Sequence, residues 1–368
     1  MKMTTYALST PVSEIKTPLF TRSETYKPFH HEWAEVFRDR QQSVHWMARE
    51  LPMGEDLKDW SPHSERLTHK ERDLLTNIFR LFTQADVDVL DNYMNILTKV
   101  FRNSEVARML TVFSSFETIH IEAYSYVLES LKLPDSTYHE FLEIEEMRDK
   151  HDFLKRYNAD TLEDLIMTLG CFAAFVEGLQ LFASFAMLLS FPKKGRMRNM
   201  GQIVSWSIRD ETLHVNGGIK LLHTLCDETG INLKDLQPQF HEAVQNFVRM
   251  EDTFIDKAYE FGETPVGTAH DYKQYVRFIA DMRLAQLGLD TFYNIEEHPL
   301  PWIDEMTGQE HANFFEVRPT EYSKGSMTGS WDDAWGALDN AETGDMEVMP
   351  GELIHSRRIK AGLAESLL

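Results

Sequence analysis

The sequence predicts an all-α fold, a helical bundle with polar groups gathered inside it. Three observations carry that prediction. Apolar residues recur at intervals of three and four over long stretches, while strand-type alternation is scarce. Capping signals stand at the heads of several of those stretches. Carboxylates and imidazoles interrupt the apolar stripes themselves, not only the opposite faces.

Residues 1–30 carry prolines and polar residues without sustained periodicity, and read as an N-terminal arm. A helical pattern containing Trp33 and Trp46 runs from Glu32 to Glu50. Pro52, Gly54 and Pro62 mark the loop after it. Thr68-His69-Lys70-Glu71 is a capping box and predicts a long helix to about Phe101. Its apolar stripe runs Leu75, Ile78, Phe79, Phe82, Asp86, Val89, Leu90, Tyr93 and Leu97. Asp88 and Asp91 share the polar side with Gln84 and Asn95, so spacing singles out Asp86 as the buried carboxylate.

Asn103 or Ser104 caps the next helix, which Pro134 ends. It contains the stretch Ser114 to Tyr124, SSFETIHIEAY. Glu117, His120 and Tyr124 project from one side of it. That side continues as Val106, Met109, Leu110 and Phe113 before them and as Val127, Leu128 and Leu131 after. Asp135-Ser136 starts a short helix reaching about Asp149.

A further helix begins near Thr161 and enters Cys171–Phe191, which is apolar nearly all round with Glu177 at its middle. Its length suits a membrane span. The internal Glu177, the nearby Gln180 and the lack of a second such segment favour the central helix of a soluble bundle, with no membrane partner. The helix after the PKKGRMRNMG loop has the inner line Val204, Ser207, Ile208, Glu211, His214, Gly218, Leu221 and Leu222. Two more helical patterns cover Gln237–Phe261 and His270–Leu289. The bundle is thus expected over residues 31–300. From about Pro301 to Leu368 the chain turns polar and broken, a flexible C-terminal tail that orders in part or on binding a partner.

Lys and Arg number 37 against 59 Asp and Glu, a formal net charge of -22. That excess argues against a nucleic acid bound through its phosphates and against an anionic membrane surface. Cys171 and Cys226 lie far apart and form no CxxC pattern, which fits a reducing cytoplasm. The opening MKMTTYALSTPVSEIK lacks the apolar core of a signal peptide.

The buried polar inventory is Asp86 on one helix, Glu117 with His120 on the next, Glu177 on a third, and Glu211 with His214 on a fourth. An unpaired charge in such a place is expensive. One Glu-x-x-His pair is usually accidental, and a lone Glu in an apolar helix is usually a paired core residue. Two pairs, plus one carboxylate from each of two other helices, make the pattern of ferritin-like dinuclear carboxylate sites. Four carboxylates offset the charge of two divalent ions, and carboxylate with imidazole suits iron or manganese. Tyr124, one turn beyond His120, is core by default. Beside a metal pair that activates oxygen it becomes an oxidisable group.

With these residues in place, the sequence resembles the small (beta) subunit of class I ribonucleotide reductase over roughly Phe29 to Tyr322. The most specific pieces are SFETIHIEAY, FVEGLQLFASFA, IRDETLHVNG and FFEVRPTEYSKG. The resemblance implies that Asp86, Glu117, His120, Glu177, Glu211 and His214 are metal ligands and that Tyr124 holds a stable radical formed with O2. It gives Trp46 the place of the tryptophan near the site and Asp210 that of its hydrogen-bond partner between Trp46 and His120. Tyr322 takes the place of the tail tyrosine that hands the oxidising equivalent to a large (alpha) subunit, where ribonucleotides are reduced. By the same resemblance the chain is a homodimer. A diiron centre is implied by Asp86 together with Tyr124, with dimanganese and mixed manganese/iron forms left open. Leu181 and Phe182 depart from the residues usual in the family's hydrophobic shell. The tail is longer than usual; in the family its end docks on the large subunit, and Leu363, Leu367 and Leu368 are the apolar residues suited to that here.

Two other classes compete. A ferritin-like dinuclear oxidase or hydroxylase acting directly on a substrate needs an open pocket at the metals and no Trp46, Asp210 and Tyr322 set. An iron-storage or scaffold protein predicts a shorter chain without such a tail.

Overall fold

A computed structural model of the chain describes residues 5–143, 145, 148, 152 and 158–306. Clustering of contacts separates Met1–Ala312 from Asn313–Leu368, and the second unit, with Tyr322, Leu363, Leu367 and Leu368, lies outside the described residues.

Short helices come first, α1 (Glu32–Ser43) and α2 (Gly54–Trp60). Thr68 then opens α3 (His69–Asn92). Thr68 Oγ1 accepts from the Glu71 amide at 3.2 Å, and Glu71 Oε2 accepts from the Thr68 amide at 2.8 Å. The box thereby satisfies donors that a helix start leaves open. A π-helical turn, Tyr93–Leu97, follows α3 directly. Asn103 Oδ1 accepts from the amides of Glu105 and Val106 and opens α4 (Ser104–Ser130).

Thr161 and Asp164 form the box that starts α5 (Leu162–Cys171), which runs into a π-helical segment, Phe172–Gln180, and then α6 (Phe182–Lys193). Next is α7 (Arg198–Thr229), ended by Gly230 at φ +71°, a left-handed conformation that glycine adopts without strain. The last long elements are α8 (Gln237–Phe261) and α9 (Ala269–Gln286), the latter opened by a Thr268–Asp271 box. Among the described residues every element is helical, and the β feature is an isolated bridge between Pro11 and Thr161.

Two expectations need adjustment. The helix predicted to reach Glu50 stops at Ser43. Arg209 donates to the Val44 carbonyl at 2.8 Å, and the chain then extends, which lets Trp46 turn inward. The short helix after Pro134 opens as two 3-10 turns, Asp135–Tyr138 and Glu140–Glu143; Glu145 and Arg148 are helical, and the other residues from 144 to 149 lie outside the described ones. The arm is strapped to the body over its described part: the Tyr6 amide donates to Thr229 O at 3.0 Å, Leu162 to Thr10 O at 2.9 Å and Arg102 to Leu19 O at 3.0 Å.

Helix α4 packs between α1 and α3, while α7 packs on the π-helical segment and α6. The apolar run within Leu162–Lys193 is long enough to cross a membrane, yet 94% of its most apolar window is buried inside the protein. Fully burying each Phe or Leu there contributes about 1.5–3 kcal/mol, which makes the run the core of the bundle. Gly218 lets α7 close on it, since a Cβ there would sit 2.6 Å from the Ala173 Cβ. Gly218→Ala is therefore expected to destabilise the fold by about 1–3 kcal/mol in urea unfolding. An unchanged midpoint would show that the two helices separate without cost.

Candidate metal centre

The four elements that carry the polar stripes bring their groups to one interior region. Asp86 comes from α3, Glu117 and His120 from α4, Glu177 from the π-helical segment, and Glu211 and His214 from α7; all are buried. They form two groups of four. In each of the sets Asp86, Glu117, His120, Glu211 and Glu117, Glu177, Glu211, His214, one donor atom per residue lies within 4.8 Å of the others. Glu117 and Glu211 belong to both sets. Each set could hold a cation, and the two shared carboxylates could serve both.

Both imidazoles turn Nδ1 into the cluster. His120 Nδ1 is 3.2 Å from Glu211 Oε1, and His214 Nδ1 is 2.9 Å from Glu117 Oε1 and 3.5 Å from Glu177 Oε2. Their i, i+3 spacing from Glu117 and Glu211 places each ring beside its own carboxylate, at 3.5 and 3.6 Å. Among the buried atoms without a hydrogen-bond partner are Asp86 Oδ2, both oxygens of Glu117, Glu177 and Glu211, and Nδ1 of both histidines. Buried polar atoms are ordinarily satisfied. Orphaned donors converging on common points are what a cation site requires, and four carboxylates balance two divalent ions. The residues present fit a dinuclear centre of hard, oxygen-rich character.

Electrostatics point the same way. Burial pushes the Asp86 carboxyl well above the usual range; Glu117, Glu211 and Glu177 add repulsion that His120 only partly offsets. Glu177 is pushed up to about 8, by burial first and by Glu211 next. Burial and Glu117 act to raise Glu211, but the facing Glu177, His120 and His214 outweigh them and hold it below its ordinary value. Burial alone would lower both imidazoles. Asp210, Glu117 and Glu211 around His120, and Glu117, Glu177 and Glu211 around His214, instead raise them well above theirs. Raised carboxyls and raised imidazoles at one place mark a cluster whose negative charge calls for compensation, which divalent cations could supply.

Around this cluster lies a second set of contacts. Asp210 is fully buried, not a surface helix charge. Its Oδ2 accepts from Trp46 Nε1 at 2.6 Å and lies 3.3 Å from His120 Nε2, while Oδ1 accepts from Arg209. Despite burial, His120, Arg209 and Trp46 hold the Asp210 carboxyl below the usual range. The Trp46 ring stacks on His120 with centroids 6.0 Å apart. Tyr124 is buried and donates to Ser207 Oγ at 2.9 Å. Burial, then the charge of Asp86, raises its pKa well above that of a free phenol.

Three neighbours were not singled out as functional from sequence. Trp206 lies 5.0 Å from Trp46, ring to ring, and is only half-buried. Tyr93, in the π-helical turn after α3, sets its ring edge against His214 at 6.2 Å. Ser207 was legible only as an inner-line residue. An i, i+4 relation to Glu211 was its available signal.

A family model described as "Ribonucleotide reductase, small chain" matches residues 23–299. A relative in Invertebrate iridescent virus 3, named "Probable ribonucleoside-diphosphate reductase small subunit 048L", is 40% identical over 327 residues, covering 83% of this chain and 86% of the relative. Among solved structures, the ribonucleotide reductase R2 subunit from Clostridium botulinum is similar with TM-score 0.68 at 22% identity, over 75% of this chain and 88% of that one. The dimanganese(II)-NrdF of Streptococcus sanguinis is similar with TM-score 0.64 at 18% identity, over 75% and 95%. Those two likenesses bear on the helical fold. Relatedness in sequence over most of the chain goes further: this protein belongs to the ribonucleotide reductase small-chain family and is an oxidoreductase subunit.

Proposed function

We propose that Asp86, Glu117, His120, Glu177, Glu211 and His214 hold a dinuclear metal centre. Tyr124, oxidised in the presence of O2, becomes the radical, and the oxidising equivalent passes to a large subunit that reduces ribonucleotides to deoxyribonucleotides. The observation that carries this reading is the pair of donor groups sharing Glu117 and Glu211, with a buried phenol one turn beyond His120. A metal pair bound there supplies oxygen activation and an oxidant strong enough for a phenol. Iron is the metal favoured by Asp86 with Tyr124; dimanganese and mixed manganese/iron pairs suit the same donors.

The residues of the chain do the rest. Because the phenol stays neutral, Tyr124 must lose its proton together with its electron. Burial keeps water and thiols from the resulting radical. Asp210, as an anion, orients His120 through Nε2 and Trp46 through Nε1, joining the cluster to an indole by hydrogen bonds. Trp46 passes the electron needed to quench the Tyr124 radical during turnover, and Tyr322, outside the described residues, carries the transfer onward. Docking of the tail, residues 301–368, on the large subunit, a homodimer and a cytoplasmic location belong to the same proposal.

A direct-acting oxidase or hydroxylase on the same fold would have no use for the hydrogen bonds that join Trp46 and His120 through Asp210.

The test is reconstitution of the full chain with ferrous iron and oxygen. The expected result is an organic radical in electron paramagnetic resonance and ribonucleotide reduction once the large subunit is added. Tyr322→Phe keeps the radical and lowers turnover at least about a hundredfold, a loss of transition-state stabilisation with the resting centre intact. Normal turnover in that variant would remove Tyr322 from the route. A filled metal site with neither radical nor turnover would remove the proposal.

A further inference from the structure

Ser207 lies on α7 one turn before Glu211, fully buried beside Ile203, Val204 and Ile208. A buried hydroxyl in apolar surroundings costs free energy unless it is bonded. Hydroxyls within helices commonly bond the carbonyl four residues back. In this same helix Thr212 does so to Ile208 at 2.7 Å, Thr224 to Lys220 at 2.8 Å and Thr229 to Leu225 at 2.6 Å. Ser207 is turned to the Tyr124 hydroxyl instead, at 2.9 Å.

We infer that Ser207 is a positioning residue for the Tyr124 radical: it accepts the phenolic hydrogen bond before oxidation and donates one to the phenoxyl oxygen afterwards. The inference rests on the proposal that Tyr124 is the residue oxidised. A hydroxyl is both donor and acceptor, so rotation about Cβ–Oγ reverses the bond without moving a heavy atom. The phenoxyl oxygen, which has lost its hydrogen, can only accept. An alanine at 207 would leave that oxygen buried without this donor.

The redox step balances as follows. Reducing one dioxygen to two waters takes four electrons and four protons. Tyr124 gives one of each as its O–H bond breaks, two bound divalent ions would give one electron each, and an external one-electron reductant would give the last. Solvent supplies the remaining protons. Ser207 neither gains nor loses a proton overall.

The full chain is loaded with ferrous iron, oxygenated in H2O and in D2O, and its radical read by high-field electron paramagnetic resonance and electron–nuclear double resonance. Wild type is expected to show one exchangeable proton coupled to the phenoxyl oxygen. Ser207→Ala loses that coupling and its largest g-value rises; Ser207→Thr restores both, with equal metal per chain in all three. A wild-type Tyr124 radical without the exchangeable coupling overturns the inference, and so does an unchanged spectrum in Ser207→Ala. Should the alanine variant not fold, the H2O/D2O comparison in wild type decides alone. A wild type with no organic radical, or a signal that persists unchanged in Tyr124→Phe, fells the underlying proposal and the inference with it.

Discussion

Tyr124→Phe leaves the metal site able to fill and removes the organic radical. The substitution deletes one hydroxyl and keeps the ring, so the α4 stripe that carries Glu117 and His120 is undisturbed. The local cost is the bond to Ser207, about 1 kcal/mol net and small against the stability of a domain. A benzene ring, by contrast, is far harder to oxidise than a phenol. Turnover with the large subunit should fall at least about a thousandfold, equivalent to about 4 kcal/mol of barrier. Metal analysis and electron paramagnetic resonance on the same sample check both halves. A signal of unchanged shape would place the radical elsewhere. A new signal of different shape would direct attention to Tyr93, the buried phenol on the His214 side.

The second large effect separates two kinds of carboxylate. Glu117 lies in both donor groups, whereas Glu177 lies in one. Glu117→Ala should therefore deprive both cation positions and reduce loading to near zero. Glu177→Ala should spare the group of Asp86, Glu117, His120 and Glu211, and retain roughly half the metal. Each truncation also leaves a facing imidazole without a charge it was raised to meet, which weakens rebinding further. Equal loading of the two variants would sink the shared-carboxylate arrangement. Full loading of Glu177→Ala would remove it from the ligand set.

The relation between stripe and site explains what was readable early. Along α3 only Asp86 among the clustered aspartates falls on the apolar line, and it is buried, while Asp91 is exposed. Glu117, His120, Glu211 and His214 were legible by the same arithmetic, because a helix repeats its face every three or four residues. Glu177 was harder. Its segment is apolar nearly all round, so no face could be chosen, and the wider π-helical turn from Phe172 to Gln180 leaves no mark in composition. Trp206 stayed unremarked, and Ser207 was placed on the inner line without a role, for a related reason: a tryptophan or serine in a helix says nothing of what lies across from it.

The sequence by itself determined most of the helices, several of their caps and the inward sides of α3, α4 and α7, and hence that Asp86, Glu117, His120, Glu211 and His214 would be buried, since those properties depend on neighbours within a turn or two. Tertiary structure alone decided that Glu117 and Glu211 are common to two donor groups, that Asp210 serves both Trp46 and His120, and that Ser207 meets Tyr124. Those relations join residues on different helices. Their distances are set by how closely the helices pack, as where Gly218 lets α7 approach Ala173, and a one-dimensional pattern does not contain that spacing.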